Sequence, residues 1–220
     1  MNCVSGIYYP KDSGKCWVYD CLKKGNVWEK SMLNKFVEII NEGDTVIDCG
    51  ANIGLHSLEL SLLVGDNGNV FSFEAIPAIY DCLNKTIELN EIENITTINN
   101  GLFSKDNEDL VFKSDLSGRS GLYRKSSVFT KSFTVKSITL DTYFKDYDKK
   151  IHFIKIDVEG CEFEVLEGAK ELIKKHKPKI IVEVWKSITR TTQLFKWLEE
   201  NDYSLEAKVS AGDYLLVPSF

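Results

Sequence analysis

"VIDCGANIG", residues 46–54, runs from apolar to acidic to glycine-studded within nine positions. The pattern is that of a buried strand breaking into a helix. "DTVIDCG" (44–50) reads as the strand, and "LHSLELSLLV" (55–64) as the helix, which "GDNG" stops. Gly50 and Gly54 flank the crossing, with Ala51 and Asn52 between them. Lacking a Cβ, the glycines permit unusual dihedrals and close approach of a ligand to the main chain. A helix starting near Gly54 would offer free N–H groups to an anion. By itself the turn leaves three readings open: an ordinary tight turn, a dinucleotide site, or a cradle for another adenosine-containing cofactor.

The flanking sequence narrows the fold. Upstream, "VWEKSMLNKFVEII" (27–40) has apolar residues at helical spacing, and residues 1–26 form a lead-in with short β-like pieces such as "CWVYD" (16–20). Downstream, "NVFSFEA" (69–75) is a second strand, followed by a helix opening at Pro77 and running to about Asn90. "ITTINNG" (95–101) is a third strand. Residues 104–137 are polar and alternating, which predicts an antiparallel excursion. The strand–helix rhythm resumes with "IHFIKID" (151–157), a helix over 161–175, "KPKIIVEVW" (177–185) and a helix over 190–200. "YSLEAKV" (203–209) and "DYLLVP" (213–218) close the chain as two strands joined by a turn with no helix between. This is an α/β arrangement: a mostly parallel sheet covered by helices on both faces, with a terminal hairpin adding an antiparallel strand. Residues 27–220 would form the domain.

Composition bounds the function. The 220 residues are 43% apolar and 27% charged, as in an ordinary globule. Every apolar run is too short to cross a bilayer, and Met1-Asn2 does not read as a signal peptide. A net charge of -6 argues against a nucleic-acid partner. The six cysteines (3, 16, 21, 49, 82, 161) form no C-x-x-C pair, and no histidine neighbours the first three. Neither a disulfide framework nor a zinc site is expected, and the chain reads as cytoplasmic. The sequons "NKT" (84–86) and "NIT" (94–96) are then irrelevant.

Acidic residues separate the cofactor readings. Glu74 ends the second strand 20 residues after Gly54, where a carboxylate can take both hydroxyls of a ribose. NAD would bring an anionic diphosphate, whereas S-adenosylmethionine brings a sulfonium and an ammonium. Asp48, Glu74 and Asp157 at strand ends, with Glu29 on the preceding helix, suit the cation and repel the diphosphate. A second acidic block, "IKIDVEGCEFEVLEGA" (154–169), places Asp157 over the sheet, with Lys155 on the same side of the strand and able to pair with it. Glu162 reads as a complement to a helix dipole. Glu183 stands in the apolar run "IIVEVW", where a carboxylate needs a reason. Asp157, Glu159 and Glu183 would form a hard oxygen cluster for Mg²⁺, or one of them would act as general base. His56 reads as a residue that packs and hydrogen-bonds on its helix.

"VIDCGANIGLHSLELS", "VFSFEAIPAIYDCL", "INNGLFS", "ITLDTYF" and "IHFIKIDVEGCEFEVLEGAKELI" together resemble the FkbM family of S-adenosylmethionine-dependent methyltransferases, over roughly residues 27–217 and in the family's order. The resemblance implies a seven-stranded class I methyltransferase fold, acting on hydroxyl oxygens of sugars or other natural products. By position it implies that Asp48, Gly50, Ala51, Asn52 and Gly54 form the cofactor loop and Glu74 the ribose acid. Asn100 and Gly101 would flank the adenine, Asp157 would meet the methionine end, and Glu29 matches an N-terminal acid. Ala75 departs from the proline common after the ribose acid. The acceptor, a sugar or glycan hydroxyl, would meet residues 1–26 and the excursion. There Tyr8, Tyr9, Trp17, Tyr19 and Tyr123 would either stack on sugar rings or anchor a flap to the core. A nicotinamide oxidoreductase using the same turn, and a non-catalytic module retaining the fold, are the alternatives.

Overall fold

The computed structural model describes residues 2–9, 17–114, 120–121, 131–184 and 187–219. Strands β1 (Asn2–Val4) and β2 (Ile7–Tyr9) pair antiparallel at the start. Helix α1 (Trp17–Lys23) follows, and here the structure corrects the sequence reading: Trp17–Asp20 of "CWVYD" lie in a helix, not a β-like piece. Their aromatic and β-branched side chains suit a strand as well. Val18 and Leu22, one helical turn apart, both pack into the same apolar cluster and decide the outcome.

Next come α2 (Lys30–Ile39), β3 (Thr45–Cys49), α3 (Leu55–Val64), β4 (Asn69–Phe73), α4 (Pro77–Leu89) and β5 (Ile95–Ile98). The strand expected over 95–101 stops early. The Asn99 side-chain amide donates to the Glu74 and Ala75 carbonyls at 2.8 and 3.1 Å and turns the chain out of the sheet. Residues beyond it join a second sheet of β6 (Gly101–Leu102), β7 (Asp109–Ser114), β8 (Ser120–Gly121) and β9 (Lys131–Ile138), in the order β6-β9-β7-β8. Its β7–β8 and β7–β9 pairs are antiparallel.

Helix α5 (Leu140–Tyr143), β10 (Phe153–Ile156), α6 (Glu162–Glu167), α7 (Lys170–His176), β11 (Lys179–Glu183), α8 (Ile188–Asn201), β12 (Tyr203–Lys208) and β13 (Asp213–Pro218) complete the chain. The single helix expected over 161–175 is two. A Cβ on Gly168 would lie 2.2 Å from the Phe103 carbonyl oxygen, so another segment's backbone occupies the break. The Asp141 carboxylate then accepts the Glu171 and Leu172 N–H groups at 3.1 and 2.8 Å, satisfying the first turn of α7.

The main sheet has seven strands in the order β12-β13-β11-β10-β3-β4-β5, parallel except for β13. That is the mostly parallel sheet with a terminal hairpin that the strand–helix rhythm predicts. Period-two alternation divides its faces. Ile47, Ile154, Ile156, Ile180 and Val182 face α5 to α8, while Val46, Phe153, Ile181 and Leu215 pack with α2 and α3. The same alternation places Asp48, Lys155, Glu183 and Asp213 on the α2–α3 side, in register: Lys155 opposite Asp48, and Glu183 opposite Asp213. Strand order reverses between β3 and β10, and a crevice opens beyond their carboxyl ends.

Candidate functional site

The crevice has about 1090 Å³ of empty space, its open mouth included. Its floor is the turn after β3. The Gly50 and Ala51 N–H groups both donate to the Phe73 carbonyl, at 3.0 and 2.9 Å, tying the turn to β4. Gly50 has φ +87°, and a Cβ there would lie 1.9 Å from the Asp157 carbonyl oxygen. Gly54 (φ +93°) lies outside the wall, its missing Cβ directed at Leu83 of α4. Both glycines were expected to admit a ligand to the main chain. The space each leaves is filled by protein, because their task is to let β10 and α4 approach.

Glu74 is set into this floor. Its carboxylate accepts the Asn52 N–H at 3.0 Å and the Ile76 N–H at 2.8 Å, and it is only 7% exposed. Burial raises its pKa; the two N–H donors oppose the rise, and the balance stands at about 7. Ala75 and Asn100 line the crevice beside it. Gly101 does not: it packs against Leu110 under the second sheet, where a Cβ would meet the leucine at 2.7 Å.

Asp48 is fully buried beneath the crevice rather than on its wall. The Ser57 hydroxyl donates to it at 2.7 Å, and Ser72 donates to Ser57 at 2.9 Å. Lys155, 2% exposed, reaches from β10 to within 3.7 Å of Asp48 and 3.2 Å of Asp157. Burial pulls the Lys155 pKa down, but Asp157 and Asp48 together carry it above the ordinary lysine value. The expected Lys155–Asp157 pair is present, and through Lys155 the acid of β3 is joined to the acid that follows β10.

Glu29, at the start of α2, holds a left-handed backbone (φ 44°), and its carboxylate lies 2.9 Å from His56 Nε2. His56 Nδ1 lies 2.8 Å from Glu59. Burial works against the charged ring, yet the two carboxylates raise the His56 pKa to about 9. His56 thus packs and hydrogen-bonds as expected, and as an imidazolium at neutral pH it also sets the position of Glu29.

Five carboxylates line the crevice, Glu29, Glu74, Asp157, Glu159 and Glu183, against two basic side chains, Lys155 and His56. Each of those two is already paired with carboxylates. Among the described residues no three acidic, histidine or cysteine side chains converge to hold a metal ion. The Mg²⁺ cluster expected from Asp157 and Glu159 of the loop after β10 and Glu183 of β11 therefore finds no support among the described residues. Val18, Trp28 and Phe112 form an apolar part of the wall.

Two features escaped the sequence reading. Glu162, in the first turn of α6 as expected, is also a buried ion-pair member: Arg190 Nη1 of α8 lies 2.5 Å from it. The same guanidinium donates to the Gly160 carbonyl, and so clamps the loop that carries Glu159 at φ +58°. Asp213 faces Glu183 only through the antiparallel register of β13. A partner 28 residues from Glu162 and one 30 residues from Glu183 leave no local signal. Among the acceptor-side aromatics, Tyr8 packs partly buried against the apolar cluster and does not line the crevice. The side chains of Tyr9, Trp17 and Tyr19, and all of Tyr123, lie outside the described residues.

Hexuronic acid methyltransferase AglP of Haloferax volcanii is 29% identical over 141 residues, covering 64% of this chain and 56% of that protein. The crystal structure of Methyltransferase FkbM from Methylobacillus flagellatus KT matches with a TM-score of 0.55 at 18% identity, over 84% of this chain and 49% of that one. Aeropyrum pernix fibrillarin, in complex with S-adenosyl-L-methionine, matches with a TM-score of 0.51 at 10% identity, over 86% of this chain and 73% of that one. The chain thus spans about half the length of the first two. The likenesses to solved structures establish the class I methyltransferase fold. The pattern of the Methyltransferase FkbM domain matches residues 48–205, from the buried aspartate of β3 into β12. With that match covering most of the sheet and both acidic blocks, the chain belongs to the FkbM methyltransferase family.

Proposed function

We propose that the crevice binds S-adenosylmethionine and that the protein transfers its methyl group to a hydroxyl of a sugar or glycan. The observation that supports this most is the excess of carboxylates around the crevice, with one Glu183 oxygen buried and lacking a hydrogen-bond partner among the described residues. Such a wall needs a ligand that brings positive charge and hydrogen-bond donors. S-adenosylmethionine brings a sulfonium, an ammonium and two ribose hydroxyls. A nicotinamide dinucleotide would set its diphosphate against the same acids. Glu74, fixed by two backbone N–H groups, is the ribose acid, and Glu29, oriented by His56, faces the ammonium. The sugar acceptor is inferred from AglP, a hexuronic acid methyltransferase.

When bound, the donor supplies a methyl group on a positively charged sulfur. The residues of this chain orient the two reactants, keep water out and receive the alcohol's proton. Amide substitutions of Asp157, Glu159 and Glu183, one at a time, are expected to reduce turnover far more than donor affinity. Unchanged turnover in all three would remove them from the chemistry.

Incubation with isotopically labelled methyl donor and a panel of saccharides, hexuronic acids included, tests the function by mass spectrometry of the products. A methyl ether on a sugar supports it. Donor binding with no methylated product from any acceptor favours a non-catalytic module, and calorimetric binding of NADH in place of the donor favours an oxidoreductase. Glu74→Gln is expected to weaken donor binding roughly ten- to a hundred-fold, since a charge-assisted hydrogen bond pair is lost. Because the ionised carboxylate is the better acceptor, wild-type affinity should rise with pH through about 7, and the variant should lose that rise.

A further inference from the structure

Glu183 ends β11 with its side chain against the turn that joins β12 and β13. A Cβ on Gly212 would lie 3.5 Å from its Cγ and 3.9 Å from Oε1, so the glycine leaves the room it occupies. Oε2 is buried, with no hydrogen-bond partner among the described residues. Acids face it from every side: Asp157 and Glu159 from the loop after β10, Glu162 from α6, and Asp213 from the adjacent strand. The nearby cations are committed elsewhere, Lys155 to Asp48 and Asp157, Arg190 to Glu162, and His56 to Glu29 and Glu59. Among the described residues none of them bonds Glu183. Burial first, then these four acids, raise its pKa to about 9. In the donor-free protein these surroundings favour the protonated carboxyl, and a protonated carboxyl cannot serve as a base.

We propose that Glu183 is the group that takes the acceptor's proton, and that entry of the sulfonium donor first strips Glu183 of its own, so that the proton of each turnover leaves at donor binding. This rests on the reading of the crevice as a site for S-adenosylmethionine and an alcohol. A positive charge about 4–6 Å from a carboxyl lowers its pKa by roughly one to three units, enough to ionise Glu183. In the transfer the alcohol oxygen bonds the methyl carbon, and the carbon–sulfur bond breaks with its electron pair kept on sulfur. The hydroxyl proton passes to the Glu183 carboxylate. The sulfonium charge disappears as the carboxylate charge does, so the net charge of the crevice is the same before and after. Glu183 stays protonated until the next donor enters.

Proton release on binding reads this directly. Calorimetric titrations in two buffers of different ionisation heat, at about pH 8, lie above the Glu74 transition and below that of Glu183. S-adenosylmethionine is expected to release about one proton, and S-adenosylhomocysteine, whose sulfur is uncharged, clearly less. Glu183→Gln should erase the difference. Asp213→Asn removes a like charge while keeping Glu183; it should reduce the release, and it serves if the first variant does not fold. Equal release with both ligands, or a difference that survives Glu183→Gln, overturns the proposal. A methylated alcohol without donor-specific release also overturns it and leaves the function standing. Donor-specific release with every alcohol untouched supports the linkage and overturns the hydroxyl reading.

Discussion

Gly50→Ala is expected to destabilise the protein by about 4 kcal/mol, a fall of about 10 °C in unfolding midpoint. Two costs combine. The backbone at Gly50 has φ +87°, in a region L-residues occupy with strain. A Cβ there would overlap the Asp157 carbonyl oxygen, 1.9 Å away, and that oxygen is backbone with no rotamer to yield. Relief requires moving β3 away from the end of β10, where they are tied by the Asp157 N–H donating to the Cys49 carbonyl at 3.0 Å. Donor binding should fall as well, because the same movement displaces Asp157 and the floor under Glu74. Gly54→Ala is the comparison. Its Cβ would crowd Leu83 Cδ1, at 2.7 Å, the end of a flexible side chain, and meet Thr86 at ordinary contact distance, so binding should suffer less. Thermal unfolding monitored by circular dichroism, with donor titration of each variant, reads both effects. A Gly50→Ala midpoint within a degree or two of wild type would show that the turn and β10 are not held in this contact.

Lys155→Met should cost about 3–5 kcal/mol in urea unfolding. The methionine fills the same apolar path, but Asp48, fully buried, and Asp157 lose the cation that compensates them. Adding Asp48→Asn should recover part of the loss, because the remaining carboxylate, Asp157, is a third exposed and can hydrate. A Lys155→Met variant as stable as wild type at neutral pH would show that the buried charges carry no mutual dependence.

Local pattern made much of this molecule legible. "DTVIDCG" is a strand because β-branched Thr45, Val46 and Ile47 precede a glycine turn, and it is buried on both faces. Leu55–Val64 and Pro77–Leu89 are helices with the starts read from Gly54 and Pro77. Strand–helix alternation and the closing pair of strands set the class of sheet, and acidic strand ends pointed to a cation-binding crevice. Misreadings fell where five to seven residues suit two structures. "CWVYD" has the aromatic and β-branched residues of a strand, and "ITTINNG" continues like one until Asn99 bonds back toward the end of β4.

What the sequence by itself determined is the order of elements, the face each residue takes, and the chemical types available at the strand ends. These follow from periodicity, bond geometry and charge, all of which act over a few residues. Only the tertiary structure decided which of those groups meet. It withdrew Asp48 from the wall and joined it to Asp157 through Lys155. It filled the space beside Gly50 with the end of β10 and the space beside Gly54 with α4. It also set Asp213 opposite Glu183 and Arg190 on Glu162, pairings fixed by register and packing between segments far apart in the chain. The proton affinity of each acid depends on burial and on neighbours a few ångströms away, so it arises when the sheet closes.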